Sequence, residues 1–110
     1  MAKLERTFTG DFDLALARLD QAVLGGSTSA TLEDRSDFTM GATRVAVRMY
    51  ERYSWSGGNR VAMCLTLAGE GNDLHLTAIT AGGSQAMFFK INTWGEEAFL
   101  DTLRDIVDKL

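Results

Sequence analysis

Three stretches between Ala42 and Ile79 alternate apolar with polar residues, glycine turns close each of them, and an amphipathic helix then runs to Leu110. A two-residue period buries one side of a strand and a 3.6-residue period one stripe of a helix, so this succession restricts the chain to a small sheet with helices stacked on it. In the first stretch the odd positions Val45, Val47, Met49, Tyr53 and Trp55 are apolar and the even positions carry Arg44, Arg48, Tyr50 and Arg52. In the second, Val61, Met63, Leu65 and Leu67 alternate with Ala62, Cys64 and Thr66, and Leu74, Leu76 and Ala78 continue the pattern in the third. If Val47, Leu65 and Leu76 share one face, the turn at Ser56-Gly57-Gly58 needs an odd loop or a bulge, and Gly69 to Asn72 must supply an even one.

The remaining elements follow from local signals. Lys3 to Thr9 reads as a short first strand. From Asp11 the period changes: Phe12, Ala15, Leu16, Leu19 and Val23 fall on one helical stripe, with Asp11 placed to cap the start and Gly25-Gly26 to end the helix at positive φ. Ser27 to Glu33 predicts a modest strand, followed by a polar turn at Asp34 to Asp37. Gln85 to Ile91 predicts a last strand, apolar on both sides, and Thr93 with Glu96 has the spacing of a capping box. Phe99, Leu103, Ile106 and Leu110 then stripe the closing helix. The expected fold is α+β, a single domain over 1–110, with an antiparallel sheet of five to six strands in the order β-α-β-β-β-β-(β)-α and both helices on one face.

Composition bounds the function classes. A chain of 110 residues with 45% hydrophobic and 24% charged residues is an ordinary globular domain. A start of alternating charge without an apolar run, and a lone Cys64, point to a reducing cytoplasmic setting and away from a disulfide or cysteine-based zinc framework. The formal charge of −4 argues against a general basic coat for nucleic acid. The charge is nonetheless unevenly spread, with acids concentrated on the two helical stretches and Arg44, Arg48, Arg52 and Arg60 facing Glu51 between Ala42 and Arg60.

The wording of Arg48 to Tyr53, Gly57 to Arg60, Gly82 to Gln85 and Phe89 to Glu97 resembles a family of small bacterial proteins known only as a domain of unknown function. The element order is similar to the TATA-binding-protein-like architecture and to a reduced helix-grip fold. The family resemblance implies a bacterial cytoplasmic setting and assigns no catalytic residue, and fold likeness alone carries no function.

No catalytic, metal or cofactor signature is present. Cys64 and His75 are the nearest approach to a nucleophile and base, expected about 7 Å apart on neighbouring strands without a third group to orient the ring, and the inert reading is preferred. Gly82-Gly83-Ser84-Gln85 lacks the Lys-Ser/Thr ending of a P-loop and reads as a turn. Two candidate surfaces remain. Arg44, Arg48, Tyr50, Arg52 and Arg60 would form an anion-binding or partner face if the even side of the strands meets water. Met49, Met63, Met87, Phe89, Trp94, Phe99 and Leu103 would bound an apolar pocket beneath the last helix. Ala46, Ala62, Thr66, Thr77, Ile79 and Phe88 give the outer sheet face more apolar area than water favours, which points to self-association. The expectation is a non-enzymatic binding domain and homo-oligomer with an unidentified partner. The alternatives are a carrier of a small apolar ligand and an anion or nucleic-acid binder.

Overall fold

The computed structural model describes residues 1–26, 29–54, 59–82 and 89–110, except the side chains of 54, 59, 89–96 and 105. Its elements are β1 (Ala2–Thr9), α1 (Phe12–Gly25), β2 (Thr31–Met40), β3 (Thr43–Ser54), β4 (Asn59–Glu70), β5 (Asp73–Gly82) and α2 (Phe89–Val107). The five strands form one antiparallel sheet in the order β1-β5-β4-β3-β2. The α+β order expected from the sequence is the order found.

Two hairpins are tight for the same reason. Met40 pairs with Thr43 and Glu70 with Asp73, leaving two-residue loops whose first residues, Gly41 and Gly71, sit at φ 60° and 61°. A side chain at such a φ would be strained, and a glycine first in a two-residue loop suits the twist of the strands. Asp11 caps α1 as expected, its carboxylate accepting the Leu14 amide at 2.9 Å. Gly26 has a different role from the one expected. Its φ is −81°, and a Cβ there would lie 2.8 Å from the Ala22 carbonyl oxygen and 2.9 Å from Thr102 Cγ2, so glycine lets α1 end against α2.

Both helices lie on one side of the sheet. Phe12, Ala15, Leu19 and Val23 of α1 and Phe99, Leu100, Leu103 and Val107 of α2 bury against Leu4, Val61, Met63, Leu65, Leu67, Leu74, Leu76 and Ala78. Gly69 faces the same layer. A Cβ on it would come within 2.7 Å of both Phe12 Cδ2 and Leu74 Cδ2, so the missing side chain makes room for the Phe12 ring.

Three expectations need correction. First, β3 has the opposite parity: Val47 pairs with Thr66 and Arg48 with Leu65, so Val45, Val47 and Met49 turn away from the helices while Ala46, Arg48 and Tyr50 turn toward them. The strands close from Ser54 to Asn59 with an even connection, over residues that lie outside the described ones. Second, the polar turn expected at Asp34 to Asp37 is the middle of β2, a continuous strand with a bulge at Glu33 where the register shifts between Leu32 and Asp34. Third, Phe89 to Ile91 belong to α2, which runs through the expected capping box at Thr93; residues 83–88 lie outside the described ones. A short unbroken apolar run does not separate strand from buried helix, and here helix wins.

Candidate functional site

The helix layer covers β1, β5 and β4 and reaches only to β3, as the packing of α2 on these four strands records. Everything beyond is open, and this boundary decides the fate of the arginine row. Arg44, Arg48, Tyr50 and Arg52 occupy the helix side of β3, and Arg60, opposite Tyr53, occupies the other. Arg44 grips Asp13 of α1 with two hydrogen bonds, 2.9 and 3.1 Å, and lies 4.2 Å above the Phe12 ring. The pair holds the Asp13 carboxyl below its ordinary range and raises the guanidinium.

Arg48 is buried, bonded to Asp37 of β2 at 3.0 Å and to its neighbouring Val47 carbonyl. Tyr50 is fully buried and donates its hydroxyl to Asp20 Oδ1 of α1 at 2.7 Å; burial first, then this bond, push the phenol far up. Arg52 lies 4.8 Å over Phe99, and its buried Nε meets no acceptor among the described residues; burial lowers its pKa. Arg60 pairs with Glu51 at 2.9 Å and stacks 5.3 Å over Tyr53. The five candidates therefore do not make one solvent-facing row. Four brace the helix layer with their stems packed inward; the heads of Arg44, Arg48 and Tyr50 are bonded to acids at its margin, and that of Arg52 stacks on Phe99.

The second candidate group also divides. Met63, Phe99 and Leu103 are fully buried together as core, whereas Met49 lies on the opposite side of the sheet. Met87 falls outside the described residues, as do the side chains of Phe89 and Trp94 in α2. Trp55 and Phe88 fall outside them too, and Ala46, expected on the outer face, is buried under the helices. A cavity of about 130 Å³ lies elsewhere, where Phe8, Leu14 and Leu110 meet, and falls short of the roughly 300 Å³ of an ordinary ligand pocket.

Cys64 and His75 are farther apart than expected. Cys64 pairs with Ile79 and His75 with Ala68, four residues along the strand, or about 13 Å. His75 has other company. Its Nδ1 is 3.1 Å from the Thr7 hydroxyl and its Nε2 3.2 Å from Glu5 Oε2, and Glu5 also receives Thr77 and lies 3.5 Å from Lys3. The His75 bond, then Lys3, lowers the Glu5 carboxyl. Hydroxyl, imidazole and carboxylate in this order resemble a nucleophile, a base and its orienter. They stand on the open side of the sheet with His75 48% exposed, where nothing among the described residues encloses a substrate, and the arrangement is that of a cross-strand polar cluster. Parity within β1 and β5 was readable from the sequence, but the adjacency of β1 and β5 was not. Among the described residues no group of three His, Cys, Asp or Glu side chains could hold a metal ion. Among the described residues no helix is long and apolar enough to cross a membrane.

What remains is the uncovered side. Its middle is a band of Val45, Val47, Met49, Ala62, Cys64, Thr66, Thr77 and Ile79, half-buried or exposed. A groove of about 280 Å³ runs along it between β2 and β3, lined by Asp34, Ser36, Val47 and Met49 with Arg35. β2 extends past the helices altogether: all ten of its residues are exposed, Phe38 at 44% and Met40 at 71%. A family model described as a family of unknown function (DUF6054) matches residues 1–110. No curated protein matches the chain.

Proposed function

The chain belongs to that family, and from this premise we propose that it is a non-enzymatic binding domain that self-associates through the surface its helices leave uncovered. The observation that carries the reading is the exposure of β2 along its whole length. A strand with water on both faces and on one edge contributes little to a monomer's core, and it offers main-chain partners to another sheet. The open face adds Met49 and Ile79 to the same side. Five strands at a spacing of about 4.8 Å and a length of about 30 Å present on the order of 700 Å², near the roughly 800 Å² per partner of a standard interface. A reducing cytoplasmic setting in a bacterium goes with this reading, since Cys64 is a free thiol.

Sedimentation velocity from low micromolar to several hundred micromolar protein tests it. The expected result is a sedimentation coefficient that rises with concentration to that of a dimer. A monomer throughout would refute it.

A further inference from the structure

We infer that β2 pairs antiparallel with β2 of a second copy about a two-fold axis at Ser36, joining two sheets into one of twice the width. The inference rests on the self-association proposed above and adds the surface and its register.

Three observations carry it. The helices stop short of β2, so a second strand can approach its outer edge without meeting them. A two-fold perpendicular to the sheet keeps each face on its own side, so residues brought opposite one another must share a face. The register shifts at Glu33, so the regular part of the strand runs from Asp34 to Met40, and two centres align most of it: Ser36, which aligns Asp34 to Phe38, and Asp37, which aligns Asp34 to Met40.

Charge decides between them. Centring on Asp37 sets that carboxylate against its own copy. Centring on Ser36 sets each Arg35 across from the partner's Asp37, twice over, and each Asp34 across from the partner's Phe38. Like charges directly opposite destabilise a sheet and opposite ones stabilise it. Asp37 already accepts Arg48 at 3.0 Å and is half-exposed, so its second oxygen stays within reach of an incoming guanidinium. Arg35 makes no ion pair with another described side chain. The bulge at Glu33 lies toward one end and leaves the middle of the ladder regular.

Charges and a bulge on an edge normally discourage pairing with arbitrary strands. In this register the same charges select a copy of the strand itself and reject others.

Charge reversal is the test. Arg35→Asp alone places acid against acid and should weaken the dimer at least tenfold, and Asp37→Arg alone places base against base with the same effect. An equimolar mixture of the two should recover association as a heterodimer, since each introduced charge meets its opposite. Because Asp37→Arg also removes the partner of Arg48 and can fail to fold, cross-linking supplies a second measurement. In a Cys64→Ser background, Ser36→Cys should form a disulfide-linked dimer under mild oxidation and Thr39→Cys should not. A wild-type chain that stays monomeric overturns both the proposed function and this inference. A dimer indifferent to Arg35→Asp, or one that cross-links equally through 36 and 39, overturns the β2 register alone and leaves self-association standing.

Discussion

Replacing Tyr50 by Phe isolates one hydrogen bond and its pH dependence. The Tyr50 ring is fully buried and its hydroxyl donates to Asp20 Oδ1 at 2.7 Å, so Phe keeps the packing and deletes only the bond. A hydrogen bond to a charged group contributes about 1.5–3 kcal/mol, and because Asp20 is half-exposed and regains water the lower end applies, about 1.5–2 kcal/mol at neutral pH. With a urea m-value of about 1.5–2 kcal/mol/M the midpoint should fall by about 1 M. The sign of the pH effect follows from the direction of the shift. The folded phenol is raised above its ordinary value of 10.0, so the folded chain holds the proton where the unfolded chain releases it. The contribution is whole below about pH 10 and declines above it by about 1.4 kcal/mol per pH unit. Tyr50→Phe carries no such proton, and the other titrating groups are common to both proteins. The gap between wild type and variant should therefore close by about pH 11.5. Urea titrations at pH 7, 10 and 11.5 read this directly. Equal stability at pH 7, or a gap that persists at pH 11.5, would refute the buried Tyr50–Asp20 bond.

Gly69→Ala should lower stability by about 1–3 kcal/mol, because its Cβ would sit 2.7 Å from both Phe12 and Leu74; an unchanged melting temperature would show that the ring does not rest there. Arg48→Met should stay within about 1 kcal/mol of wild type, since an apolar side chain of similar length suits the site, whereas Asp37→Ala strands a buried guanidinium and should lose about 1–2 kcal/mol. Denaturant titration of the two variants, made below the concentration at which copies associate, distinguishes these outcomes, and the reverse order would contradict the burial of Arg48.

The parts of this fold legible in the sequence are those whose signal is local. Asp11 caps α1 because its carboxylate needs only the next turn, and Val61 to Leu67 and Leu74 to Ala78 alternate cleanly because both strands lie wholly under the helices. β3 misled for a reason tied to its place. It lies at the margin of the helix layer, where an arginine or tyrosine can bury its stem and still find an acid, Asp13, Asp20 or Asp37, at its tip. The two-residue period alone therefore puts Val45, Val47 and Met49 on the wrong side, which turns the arginine row to water and brings Met49 into the pocket. Charge in Asp34 to Asp37 likewise suggested a turn, because nothing in the residues alone tells a solvated loop from a strand bathed in water on both faces.

That overhanging strand also gives the family latitude. Because no helix leans on β2, most of its side chains can be rewritten without disturbing the interior, and Asp37, which serves Arg48, is the clearest exception. Substitutions should accumulate there first, while the layer beneath stays recognisably the same.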